Sequence, residues 1–200
     1  CSISRIDETD FVWMDRFTFR NLEIFSAAGG GEGVSLVSVI DRCSSPMGAR
    51  LLRSWLMMPS MDITELNTRY DVVQHFVENR HELSELQDYI GNVGDLERII
   101  SRAAAGKIAP REVMQLKRGL SQMGPIVSLC SGKGCEPLER MMSALDGCTG
   151  LLDTLERTMA PDPAAAIGKG DVIASGFNAE LDDLRNLARN SKEYLLNIQQ

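Results

Sequence analysis

Two hundred residues suffice for one or two domains with a buried core, and 44% apolar with 24% charged residues argue against disorder. A formal charge of −7 is a poor match for a module whose main task is gripping phosphate backbone. Aromatics at 6% disfavour a β-sandwich or a stacking platform for single strands. No run of eighteen apolar residues is present, and Cys1-Ser2-Ile3-Ser4-Arg5 opens no secretory signal.

In chain order, Phe11-Val12-Trp13-Met14 and Phe17-Thr18-Phe19 are β-prone and aromatic, so a strand is expected in the first twenty-five residues. Ala27 to Gly33 reads as a flexible glycine-rich loop, and Val34 to Asp41 as a short helix. Ser45-Pro46 opens a helix through Met58, with Ser45 as N-cap and Pro46 at the first position. Asp62 and Glu65 form a capping box for a longer helix with the seam Ile63, Leu66, Tyr70, Val73 and Val77. Leu83, Leu86, Ile90 and Val93 continue the period, with Gly91 and Gly94 marking a break. Leu96, Ile99, Ile100 and Ala103 carry a further helix to Gly106. Pro110 opens the next, which Gly124-Pro125 is expected to close. Pro137 starts another, and Leu151, Leu152, Leu155 and Met159 extend the pattern beyond Gly150. Pro161-Asp162-Pro163 is a turn and Gly168-Lys169-Gly170-Asp171 a loop, after which Val172-Ile173-Ala174 is expected to pair with the early aromatic strand.

From Asn178 the last stretch is a long amphipathic helix, with Leu181, Leu184, Ala188, Ser191, Leu195 and Ile198 on one stripe. Asn178 is its N-cap, and Glu180, Asp182 and Asp183 suit the helix dipole. The stripe reaches Gln200 without a stop signal, and no Met precedes Cys1, so the segment is expected to continue in a longer chain. The fold class is all-α: seven or eight helices with a short two-stranded β element near 11–19 and 172–174. The domain reading is a connector over 1–33, a helical core over 34–177 and the start of a long lever helix over 178–200.

Chemistry is sparse. The glycines at 29–33 lack the Gly-Lys-Ser/Thr of a P-loop, because Val34 stands where the second glycine belongs. The same position breaks the Gly-x-Gly-x-x-Gly spacing, and Gly132-Lys133-Gly134 and Gly106-Lys107 fail as well. His75 and His81 sit six residues apart on one helical stretch and so on different faces. Cys1, Cys43, Cys130, Cys135 and Cys148 are an odd, scattered set, which reads as reduced thiols rather than a disulfide framework or a zinc site. Neighbouring Asp182 and Asp183 splay apart on a helix. The sequence therefore offers no catalytic, cofactor-binding or metal residues. One stretch reverses the charge: Arg98, Arg102, Lys107, Arg111, Lys117 and Arg118 face Glu112 alone, 6 − 1 = +5. A solvated face, or ion pairs toward the acidic remainder, is its plainer reading.

Four blocks carry a resemblance. They are Phe17-Thr18-Phe19-Arg20-Asn21-Leu22-Glu23, Ser45-Pro46-Met47-Gly48-Ala49-Arg50-Leu51-Leu52-Arg53-Ser54-Trp55-Leu56, Gly94-Asp95-Leu96-Glu97-Arg98-Ile99, and the run from Gly170-Asp171-Val172-Ile173 to Leu181-Asp182. In order and spacing they resemble the core, or lever, domain of the MutS family of DNA mismatch repair proteins, over essentially the whole chain. The resemblance implies a helical core that links an ATPase domain to a clamp closing around DNA, with the lever entering the clamp past residue 200. It implies no catalysis by this segment, with ATP and magnesium held in a separate ATPase domain. It also implies a cytoplasmic, homodimeric parent that meets mismatched duplex DNA and partners such as MutL. Gly91, Gly94 and the 168–170 loop become candidate pivots. A freestanding helical adaptor that binds a partner along an exposed seam is the alternative.

Overall fold

The computed structural model describes residues 10–27 and 33–198, with side chains as far as Ser191. Cys1, the glycines at 29–31, and the side chains of Leu195 and Ile198 lie outside the described residues. Eleven helices are present among those described: α1 (Arg16–Asn21), α2 (Leu36–Ile40), α3 (Pro46–Met57), α4 (Ile63–Glu78), α5 (Arg80–Val93), α6 (Leu96–Ala104), α7 (Pro110–Ser121), α8 (Met123–Cys130), α9 (Glu136–Ser143), α10 (Thr149–Thr158) and α11 (Ala179–Ile198). The class is all-α, as the periodicity implies.

Local capping explains most boundaries. Ser45 Oγ accepts from the Gly48 amide at 3.1 Å, with Pro46 in the first turn of α3. Asp62 accepts from the Thr64 and Glu65 amides at the start of α4. The reciprocal half of that capping box is replaced. Glu65 accepts instead from Ser60 Oγ at 2.6 Å, and the Ser60 hydroxyl takes the Asp62 amide.

The expected strand pair does not form. Phe17 to Phe19 lie inside α1, because Asp15 Oδ1 accepts from the Thr18 amide at 2.7 Å and closes a helical turn over β-prone residues. Phe11 forms an isolated bridge with Ser60, and Ile173 one with Met159. Each apparent strand thus finds a partner nearer in its own part of the chain, across the Pro161–Asp171 connection in the case of Ile173.

Two compact units emerge: residues 1–98 with 118–147, and 99–117 with 148–200. In the first, α4, α5, α8 and α9 pack together around Leu86, Val93, Ile126, Cys130, Leu138 and Met142. The helical break lies at Asn79, between α4 and α5, rather than at Gly91, which α5 runs straight through. Asn79 Nδ2 donates to the His75 carbonyl at 2.8 Å beside the Asn79 amide at 3.0 Å, so backbone and side chain of one residue close the last turn of α4 on a single oxygen. Gly94, at φ 75°, then stops α5. Gly124-Pro125 opens α8 instead of closing α7; proline is tolerated in a first turn, where its missing amide costs nothing. Gly119 brings α7 against the end of α5: a Cβ there would meet the Val93 carbonyl oxygen at 2.5 Å and Leu96 Cδ2 at 2.8 Å.

In the second unit, Arg102 closes the turn between α6 and α7. Its guanidinium meets Glu112 at 2.8 Å and donates to the Lys107 carbonyl at 2.8 Å. Glu112 also takes the Ala109 amide at 2.8 Å, and Gly106 supplies the positive φ of 66°.

The root of the last helix as candidate functional site

The fourth sequence block builds the base of α11. Gly176, at φ 83°, turns the chain, and its amide donates to Asp182 Oδ2 at 2.6 Å. Asn178 Oδ1 accepts from the Leu181 amide at 2.9 Å and is the N-cap that the sequence predicts. Arg185, with only 17% of its side chain exposed, projects from the second turn of α11 back to the segment that precedes the helix. Its Nε meets Asp171 Oδ1 at 3.1 Å, its Nη1 meets Asp182 Oδ1 at 3.2 Å, and its Nη2 donates to the Ile173 carbonyl at 3.0 Å. Arg189 adds a contact to Asp171 Oδ2 at 3.2 Å. One planar guanidinium therefore ties the bridge strand, the first turn and the second turn into a single joint.

Beside this joint the described part of the expected apolar stripe is uncovered beyond the half-buried Leu181, and Leu187, which that stripe does not include, is exposed next to it. Leu184 is 58% and Leu187 63% exposed, and Ala188 and Ser191 are exposed as well. Ile173, Phe177, Leu181 and Leu184 line an open cavity of about 340 Å³. A helix with its foot fixed by charge and its apolar flank free can transmit force from its base and accept a packing partner along its side.

The second and third blocks make another joint, in the first unit. Arg50 of α3 donates to Asp95 through Nη1 and Nη2 at 3.0 and 2.7 Å, and to Glu97 through Nη2 at 2.5 Å. Asp95 also accepts from the Arg98 amide and so caps α6. The Arg50 hydrogen bond holds the Asp95 carboxyl below its usual range, and the two carboxylates push the Arg50 guanidinium up.

Residues 17–200 match the family model described as MutS domain III. The chain belongs to the MutS domain III family. Over 199 residues, all of this chain, it is 43% identical to the DNA mismatch repair protein MutS of Phocaeicola vulgatus and 41% identical to that of Parabacteroides distasonis. It is 43% identical over 194 residues to the protein of the same name from Christiangramia forsetii. The chain spans about 23% of the length of the first two relatives and 22% of the third.

Against this MutS domain III frame, the other residues singled out by sequence fall into structural places. Lys133, presented between Gly132 and Gly134 at φ 73° and 74°, meets Glu82 at 2.7 Å. That loop does not fit a triphosphate, because its one cation is committed to a carboxylate. His75 Nε2 lies 3.1 Å from the other Glu82 oxygen, across the α4–α5 break, while His81 stands on α5. The Lys133 bond first, and then His75, hold the Glu82 carboxyl below its usual range. Cys130 is buried in the core, where burial raises its thiol pKa; Cys43 and Cys148 are exposed. Among the described residues no three His, Cys, Asp or Glu side chains converge as a metal ion needs, and no helix is long and apolar enough to cross a membrane. Of the joint residues, Arg185 and Glu82 lie outside the four sequence blocks, and Arg50 lies in the second with nothing local to mark its partners. The only signal is Arg185 three residues after Asp182 on one helix face.

Proposed function

We propose that this chain is the core and lever segment of a MutS-type mismatch repair protein, a mechanical coupler that performs no chemistry of its own. In this reading residues 1–33 are a connector, 34–177 the helical core, and 178–200 the start of a lever that runs on toward a DNA clamp. ATP and magnesium bind elsewhere in a longer, cytoplasmic, homodimeric parent. That parent embraces mismatched duplex DNA and recruits repair partners such as MutL. The observation that carries the reading is the root of α11: a charged clasp at Arg185 fixes the foot of a helix whose apolar side at Leu184 and Leu187 is uncovered. A rigid helix held this way moves as a body when its base is displaced, as hinge and lever transitions require.

The test is a break in the rod. In the full-length protein, Leu184→Pro removes a backbone donor one turn above the root and kinks the helix. ATP binding should persist while ATP-induced formation of a sliding clamp on DNA is lost. Clamp formation at the normal rate and extent in that variant would refute the lever role.

A further inference from the structure

The reversed-charge stretch does not behave as a self-neutralised surface. From Arg98 to Cys135 the sequence holds seven cations and one acid, Glu112, inside a chain whose total is −7. The structure consumes that acid: Glu112 pairs with Arg102 and caps the Ala109 amide. Glu97, just upstream, is taken by Arg50. Lys133 goes to Glu82, and Arg98 lies in the field of Asp95. Lys107, Arg111, Lys117 and Arg118 are absent from the close carboxylate ion pairs seen among the described residues, which hold Arg50, Arg69, Arg102, Lys133, Arg140, Arg185 and Arg189.

Three of these four are exposed, and they are aligned. Arg111, Gln115 and Arg118 stand at i, i+4 and i+7 of α7, hence on one helix face, and Lys107 precedes them in the turn. At 1.5 Å per residue the two arginines are about 10 Å apart along the axis. Arg111 also sits in the first turn of α7, where a cation opposes its own helix dipole, so its placement costs stability instead of adding to it. The face offers hydrogen-bond donors from end to end.

Its apolar content selects the partner. No large hydrophobic residue is exposed anywhere on α7; Val113, Met114 and Leu116 are half-buried and Leu120 is buried. A protein partner would need an aromatic or aliphatic anchor at the centre of its footprint. A row of Lys, Arg and Gln with no such anchor suits the regularly spaced phosphates of a nucleic-acid backbone, which are read by charge and carry no sequence information. We propose that the Lys107–Arg111–Gln115–Arg118 face of α7 is a contact for the phosphate backbone of duplex DNA. This deepens the function proposed above, since it rests on a parent that acts on duplex DNA.

The experiment uses the full-length protein, with and without ATP, and measures affinity for matched and mismatched duplexes across a range of salt concentrations. Arg111→Gln with Arg118→Gln should weaken both duplexes alike and flatten the slope of log K against log salt by about 2, near 0.9 for each phosphate no longer neutralised. Mismatch preference should not change. Arg140→Gln, which removes a cation that is paired with Glu136 on α9, controls for net charge and should leave the slope as it was. Matching melting curves exclude misfolding, and an Arg111→Glu, Arg118→Glu pair should deepen the effect. An unchanged slope in both nucleotide states overturns the assignment, even if the variants weaken binding of an acidic protein. A wild-type protein that binds no duplex at all sinks both this proposal and the parent reading; wild-type binding with indifferent variants sinks the α7 interface alone.

Discussion

Gly119 offers the sharpest test of the packing that seats α7. A Cβ built there falls 2.5 Å from the Val93 carbonyl oxygen and 2.8 Å from Leu96 Cδ2, whereas ordinary contact begins near 3.4 Å. Against the oxygen the deficit is 3.4 − 2.5, about 0.9 Å, and a backbone atom in the core cannot swing aside as a side-chain tip can. Overpacking of this kind costs roughly 1–3 kcal/mol. Replacing glycine by alanine inside a helix returns about 1 kcal/mol. Gly119→Ala should therefore be neutral to destabilising by up to about 2 kcal/mol. The internal control is Gly91→Ala in α5, where an added Cβ meets nothing within 4 Å and the full helical gain of up to about 1 kcal/mol should appear. Urea unfolding followed by helical circular dichroism, compared at equal slope, gives the two midpoints. Gly119→Ala stabilised as much as Gly91→Ala would refute the close approach of α7 to the end of α5.

Two further outcomes follow from the charged joints. Because Arg50 holds Asp95 below its ordinary value of 3.8, the ionised carboxylate stabilises the fold above that value, and the contribution drains away as pH falls through the depressed one. Arg50→Met should thus be less stable than wild type at neutral pH by a gap that narrows below about pH 4, read from denaturant midpoints; a gap independent of pH would refute the pairing. At the root of α11, Arg185→Ala should lower hydrogen-exchange protection in the first turns of the helix by roughly 1–3 kcal/mol, toward the smaller figure because Asp171 is half exposed. Unaltered protection would mean that Arg185 merely decorates the helix.

The sequence discloses those elements whose ends are coded by neighbouring residues. Ser45-Pro46, Asp62 and Asn178 each begin a helix where their capping chemistry places it. Errors arise where a side chain does something that no local pattern encodes. At Asn79, where backbone and side chain both close α4 on the His75 carbonyl, the neighbouring sequence holds neither glycine nor proline, so the seam from Ile63 to Ile90 reads as unbroken. Asp15 turns three β-prone residues into α1. The seam of α4 shows a deeper limit. Of the expected seam Ile63, Leu66, Tyr70, Val73 and Val77, all but the half-buried Leu66 are more than half exposed, while Val72 and Phe76 pack on the core. Periodicity reports that a face is apolar; what covers it is decided by the rest of the fold.

The candidate site was half legible for the same reason. The long helix and its cap follow from spacing, but the clasp at Arg185 joins residues fourteen apart in sequence, Asp171 and Arg185, through a turn whose path only the fold supplies. Three of the four blocks behind the family resemblance meet at the charged joints. Arg50 of the second block is bonded to Asp95 and Glu97 of the third. The fourth holds Asp171, Gly176, Asn178 and Asp182, the partners and turns that seat α11, with Arg185 three residues beyond. These residues set the direction in which one helix leaves another. Under the coupling function proposed above, joints are where such blocks are expected to fall, because a segment that transmits displacement has least freedom of geometry there.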